Sequence, residues 1–386
     1  MRSIIAGRGP LGRLADLVRF PYSETEIPTL QDRGGAARRI VIGPTNSAGQ
    51  GHQWARAVER ADPNGQMTSV RIGSDRYLPK IDVLVPNAVQ QRSTRWRAEF
   101  ESFLRESTHV IWESGQPLLG RRFDQDPQRE IEELGRSGVK CALLFHGSDI
   151  RPPDRHAREN VWSPYRDDVV ATRRLSRDAL RNAQLVATVD VPTFVSTPDL
   201  LQWLPGATWC PVVVDPVPWQ SVAEARQSGA SGRLVVVHAP TSAWLKGTDQ
   251  IEPVLRRLDA EGVIEYRTVS GVPHASMPEF YATADVVLDQ FRLGIYGVAV
   301  CEALAAGRVV MGHVSQFTRD RVRELSGLDL PVHEATIDSL ERELRAVAAD
   351  PAAFEPLRSA GPGFVRDVHD GRRAAQALSG FLGLND

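Results

Sequence analysis

Residues Ala284–Val310 read ADVVLDQFRLGIYGVAVCEALAAGRVV. A short apolar run closes on Asp289, a turn punctuated by Gly294 and Gly297 follows, and the rest is almost wholly apolar. The pattern predicts a strand, a glycine turn and a buried helix. Such an arrangement binds anions, because the first N–H groups of a helix lack intrahelical acceptors and the helix dipole adds positive potential there. Glu302 lies inside the predicted helix, and its neighbours at three and four residues are Val298, Ala299, Ala305 and Ala306. Residues at those spacings share a face, so this carboxylate stands among apolar groups and needs a partner; burial without one is costly. Helical side chains lean toward the N-terminus, which aims Glu302 at the Gly294–Gly297 turn. A ligand held at that turn would meet it.

Tyr296-Gly297 through Glu302-Ala303-Leu304-Ala305 resembles the second half of the donor-binding motif of retaining, group 1 glycosyltransferases (glycosyltransferase family 4). The resemblance implies an α/β protein of the GT-B fold, with two doubly wound Rossmann-like domains facing a central cleft. In that family two glutamates, at the positions of 294 and 302 here, bracket the glycine-aromatic turn, and the second holds the ribose of the nucleotide. Glu302 matches the second. Position 294 is glycine, so either the sugar lacks the hydroxyl that a glutamate grips or another residue, such as Asp289, supplies the contact. The run Asp289-Gln290 followed by Gly294-Ile295-Tyr296-Gly297 resembles a branch of the family tied to prokaryotic polysaccharide and glycoconjugate assembly.

At 386 residues the chain has room for two domains of ordinary size, and 42% apolar residues supply two cores. A net charge of −2 lacks the basic excess of a nucleic-acid binder. Cys141, Cys210 and Cys301 lie far apart in apolar segments without metal-ligand spacing, which reads as reduced core cysteine in a cytoplasmic protein. No apolar run approaches the ~18–20 residues of a membrane span. Arg8, Arg13 and Arg19 interrupt the only N-terminal apolar pattern, which argues against a secretory signal. Lysine is confined to Lys80, Lys140 and Lys246, which makes each worth locating.

In residues 1–39 Leu11, Leu14, Leu17 and Val18 share a helical face opposite Arg13 and Asp16. This basic amphipathic extension either packs on its own domain or lies on an anionic membrane. Residues 40–207 read as a first Rossmann-like domain. The strand Arg39–Gly43 opens it, and the Gly49-Gln50-Gly51 loop enters a helix; Trp54 at the third fingerprint position argues against a dinucleotide site. Strands are predicted at Thr68–Ile72, Asp82–Val85, His109–Trp112, Cys141–Phe145 and Leu185–Val189, with helices at Thr94–Arg105 and Asp167–Asn182. A proline-rich passage reads as the crossover to residues 208–367, the nucleotide-sugar-binding domain. Its predicted strands are Arg233–His238, Val263–Ser270 and Val309–Gly312, with a helix at Ser339–Ala348 started by an Asp338/Glu341 capping box. The last helix, within residues 368–386, is expected to pack back on the first domain.

The resemblance extends to further positions. His146 and Asp149 follow a strand end where the family often places a histidine beside the donor's anomeric carbon. Gly49 and Gly51 match the loop that faces the donor phosphates. Lys246-Gly247 matches the lysine that neutralises the diphosphate, whereas the partner arginine is replaced by Thr241. Val272 falls in the turn that lines the nucleobase. The expectation is a retaining glycosyltransferase using a nucleotide-diphosphate sugar, with no metal or other cofactor. His146, Lys246 and Glu302 are its catalytic candidates. Gly49, Gly51, Asp149, Lys246, Val272, Asp289, Gly294, Tyr296, Gly297, Val298 and Glu302 are its donor-binding candidates. The acceptor is a glycoconjugate, polysaccharide or small molecule, and a lipid-linked one would suit peripheral contact with the inner face of the membrane. Alternatives are a GT-B nucleotide-sugar epimerase or hydrolase, and a degenerate GT-B subunit that only binds.

Overall fold

The computed structural model describes residues 22–31, 34–73, 80–167, 169–223, 232–240, 242–268 and 272–384. The N-terminal amphipathic pattern and Thr241 lie outside them. Contacts divide the chain into two units. One takes the chain as far as His146, with Asn182–Phe194 and the segment from Leu378; the other takes Gly147–Arg181 and Val195–Ala377.

The first unit is built on β1 (Arg38–Gly43), β2 (Gly65–Ile72), β3 (Val83–Val85), β4 (His109–Glu113), β5 (Lys140–Phe145) and β6 (Thr193–Val195), in the sheet order β3-β2-β1-β4-β5-β6. The pairings among β1 to β5 are parallel. Ile40, Val41 and Ile42 are all fully buried, as central parallel strands are covered on both faces and so read as unbroken apolar runs. The helices Thr94–Arg105 and Pro127–Arg136 start on side-chain caps, Ser93 accepting from the Trp96 amide and Asp126 from that of Gln128. Arg38 donates to the carbonyls of Leu382 and Gly383 at 3.2 and 2.8 Å, closing the end of the last helix, and His109 meets Phe381 edge-on.

In the second unit Cys210 beside β7 (Thr208–Trp209) donates its N–H to the carbonyl of Val195. The main sheet is β12-β11-β10-β8-β9, from β8 (Leu234–His238), β9 (Ile264–Thr268), β10 (Val286–Leu288), β11 (Val309–Gly312) and β12 (Val332–Glu334), every pair parallel. Side chains alternate between two layers with the strand period of two. Val235, Val237, Val287 and Val310 pack with Ala303 and Leu304, while Val236, Val286 and Leu288 pack with Ile251, Leu255 and Leu258. The helix Val298–Ala305 is therefore buried in one layer and the helix Thr248–Ala260 in the other.

Two expectations are corrected. Leu185–Val189 is no strand, because the polar helix runs on through Val170–Thr188 and the strand forms after Pro192 as β6. The Asp338/Glu341 capping box is absent. Ser339 occupies the cap position of Leu340–Ala349 without a side-chain cap bond, Asp338 accepts from the Trp162 indole, and Glu341 pairs with Arg345.

Candidate functional site

Parallel strands deliver all their following loops to one edge. In the second sheet the chain winds from β8 to β9 in one direction and from β8 through β10, β11 and β12 in the other. The order thus reverses between β8 and β10, the place where open α/β sheets bind ligands. The loop after β8 brings Lys246, last residue of the short helix Ala243–Lys246, and Gly247 follows at φ 82°. A Cβ at 247 would stand 2.9 Å from the Arg292 side chain, so this left-handed position suits glycine. The loop after β10 begins with Asp289, and Lys246 Nζ meets Asp289 Oδ1 at 2.5 Å. Both side chains are largely buried.

Gln290 staples the turn that follows: its Oε1 accepts from the Leu293 N–H, and its Nε2 donates to the carbonyls of Ile295 and His313. Gly294 has φ 68°, and a Cβ there would lie 3.3 Å from His313 Nε2. His313 is held in that place by Glu334, its Nδ1 2.7 Å from Oε1. The Tyr296 side chain turns into the core, with its hydroxyl 3.3 Å from His369 Nε2, so only its backbone faces the turn. Gly297 caps the helix Val298–Ala305 with extended backbone, and a Cβ added to it would meet nothing within 4 Å. Among the described residues no protein acceptor takes the N–H of Gly297 or Val298. Glu302, buried in the helix, finds its partner in the turn after β9, where His274 Nε2 stands 2.6 Å from Oε1. That hydrogen bond raises the His274 pKa. Val272 in the same turn is exposed.

Arg292 is buried within this unit and fastens residues 160–167 to the glycine turn. Its guanidinium donates to Asp167 at 2.8 and 3.2 Å and to the carbonyls of Trp162 and Ser163. The hydrogen bond from Arg292 holds the Asp167 carboxyl below its usual range, helped by the Trp244 indole. His156 is pushed down to about 4 by burial. It is therefore neutral, and its Nε2–H donates to the Leu293 carbonyl at 3.1 Å. Asp149 accepts from the Gly147 N–H at 2.7 Å and shapes its own loop.

The first sheet reverses between β1 and β4. The loop after β1 is tightly bent, with Asn46, Ala48 and Gly49 at φ 45°, 49° and 77°, a region that side chains other than glycine seldom adopt. Glu113, at the end of β4 and fully buried, fills the switch point. Its Oε2 accepts from the N–H groups of Thr45 and Asn46 at 3.0 and 2.8 Å, and its Oε1 lies 2.9 Å from His146 Nε2. Trp54 stacks on His146 with ring centroids 5.6 Å apart. A Cβ at Gly51 would stand 3.2 Å from Asn46 Oδ1 and 3.4 Å from both Glu113 oxygens. Gly49 and Gly51 thus close the loop over Glu113. Sequence reading missed Glu113, His274 and His313. The signal for Glu113 is a charged residue ending the apolar strand HVIWE; the two histidines carry none. Among the described residues no group of His, Cys, Asp and Glu is placed to hold a metal ion, and no helix is long and apolar enough to cross a membrane.

No family model matches the sequence, and no curated protein matches it. Solved structures do. Sucrose-phosphate synthase from Thermosynechococcus elongatus is similar at 12% identity and TM-score 0.61, over 89% of this chain and 98% of that one. Anabaena HepE, solved with UDP and glucose, is similar at 12% identity and TM-score 0.57, over 90% and 99%. WaaG, a glycosyltransferase involved in lipopolysaccharide biosynthesis, is similar at 12% identity and TM-score 0.51, over 89% and 100%. What these proteins share with this chain is its fold, the GT-B architecture of glycosyltransferases, here built from two parallel α/β units.

Proposed function

We propose that the chain is a retaining glycosyltransferase, moving a sugar from a nucleotide-diphosphate donor to a glycoconjugate, polysaccharide or small-molecule acceptor. One observation carries the reading: at the switch point of the second sheet, Lys246, the open N–H groups of Gly297 and Val298, and the buried carboxylate of Glu302 come from adjacent loops of one unit. Breaking a glycosidic bond to a nucleoside diphosphate leaves negative charge on the departing phosphates. Preoriented N–H groups and a lysine stabilise such charge without reorganising. The diphosphate takes Lys246 over from Asp289, and Glu302 accepts from the ribose hydroxyls. His146, held by Glu113, serves the sugar. This division of labour assigns the charge to protein groups and calls for no cation. Solved relatives of the fold bound to UDP and UDP-glucose support the nucleotide-sugar reading. The same reading places the enzyme in the cytoplasm, with residues 1–39 touching the inner face of the membrane near a lipid-linked acceptor.

The test is a thermal-shift screen of nucleotide sugars, followed by NMR of the product's anomeric configuration with the best of them. Stabilisation by one nucleotide sugar and a product of unchanged anomeric configuration are expected. No response to any nucleotide sugar would leave a subunit that only binds partners, an inverted product would remove retention, and free or epimerised sugar as the physiological product would favour the hydrolase or epimerase.

A further inference from the structure

Glu302 sits on a helix whose other buried residues are Val300, Cys301, Ala303, Leu304 and Ala305. An ionised carboxylate in such company is expensive to bury unless it is paired and hydrogen-bonded. The pairing here is uneven. Glu302 keeps only 8% of its side chain exposed, whereas His274 keeps 57%. The pair reaches from the core to the ligand edge of the sheet. The histidine is nevertheless well held. Its turn is closed by the Ser276 N–H on the Pro273 carbonyl at 2.9 Å, and its ring stands edge-on to the buried Trp219 at 6.2 Å between centroids. The contact to Glu302 at 2.6 Å is in the short range of charge-assisted bonds. Only Oε1 is engaged; among the described residues Oε2 has no protein hydrogen bond.

We propose that His274 is the positioning residue of Glu302: by holding Oε1 it fixes the carboxylate's rotation, so that Oε2 is presented to a hydroxyl of the nucleotide's pentose. The inference rests on the nucleotide-sugar reading above and deepens it, since it makes recognition of the ribose depend on the turn that follows β9. A carboxylate free to rotate would accept that hydroxyl poorly. The ligand class is a ribonucleoside diphosphate whose pentose hydroxyls are intact.

The experiment is calorimetric titration with UDP, GDP and ADP and their 2′,3′-dideoxy forms, on the full chain and its variants. Wild type should favour the ribonucleotide of its preferred base over the dideoxy form by about tenfold or more. His274→Asn keeps an amide on the turn but falls short of Oε1, and should lose most of that preference. It also leaves Glu302 unpaired and lowers the melting temperature, so its titration is run well below its own transition. His274→Gln places an N–H near the position of Nε2 and should restore it. A structural role alone would lower the melting temperature and leave the preference intact. If Glu302→Gln loses the preference and His274→Asn keeps it, the positioning role is wrong while the ribose contact of Glu302 stands. If Glu302→Gln keeps the preference, Glu302 does not read the pentose and the role of His274 falls with it.

Discussion

In the first unit the turn at the sheet's switch point is closed from inside, because Glu113 takes the N–H groups of Thr45 and Asn46 on one oxygen and His146 on the other. In the second unit the corresponding turn has Lys246 beside it and leaves the N–H groups of Gly297 and Val298 without a protein acceptor among the described residues. Both turns are glycine-rich and both follow a parallel strand. On the proposed reading, the first turn already holds a carboxylate of the protein on Thr45 and Asn46, while the second receives the diphosphate. Substitutions on the two sides should accordingly separate into losses of stability and losses of binding.

The largest effect is expected at Glu113. Replacing it by alanine strands two amides and an imidazole around an emptied, buried position. Losing a group with several charge-assisted hydrogen bonds of this kind costs about 3–5 kcal/mol, to be read from urea unfolding. Near-normal stability of Glu113→Ala would break the comparison. Lys246→Ala should do the reverse. Turnover should fall about 10²–10³-fold, as when a preoriented charge-stabilising group is removed. Because Lys246→Ala alone also leaves the buried Asp289 carboxylate unpaired, the comparison uses Lys246→Ala/Asp289→Asn, whose melting temperature should stay within a few degrees. A smaller effect concerns acid. The Asp82 carboxyl is pushed up by burial but pulled down further by hydrogen bonds from His52 and Ser69 and by Arg56, from an ordinary 3.8 to about 2. A depressed folded-state pKa stabilises above the unfolded value, and that contribution fades as the pH falls toward the folded one. Stability should therefore decline between about pH 4 and pH 2, and Asp82→Asn should be weaker at neutral pH with a flatter acid limb.

Much of this was legible in the sequence for a physical reason. Central parallel strands are buried on both faces, so IVI at 40–42, LVVV at 234–237 and VVL at 286–288 stand out as unbroken apolar runs, and the glycine turn with its apolar helix follows the last of them. Leu185–Val189 misled because its apolar residues also suit the last turn of a long helix. The edge strand Val332–Glu334 is too short to show a period. Lys246 and Glu302 could be found because the first is rare in this chain and the second is isolated among apolar neighbours. Their partners could not be found this way. Glu113 meets Asn46 across 67 residues and His274 meets Glu302 across 28, and no local pattern encodes such pairs. The filling of the room beside Gly294 by His313 has the same origin, since β11 must be aligned on β10 before the two meet.

The most direct test is at Gly297. Its backbone is extended and the space where a Cβ would go is empty, so Gly297→Ala fits the folded protein and adds one methyl group at the mouth of the turn. Titration of wild type and Gly297→Ala with UDP, GDP and ADP measures whether a diphosphate approaches there. Affinity for the preferred nucleotide should fall by roughly ten- to a hundredfold, about 1.4–2.7 kcal/mol, with a melting temperature close to wild type. An unchanged affinity in a folded Gly297→Ala protein would contradict the account, because the diphosphate would then bind away from the turn where, among the described residues, the N–H groups of Gly297 and Val298 have no protein acceptor.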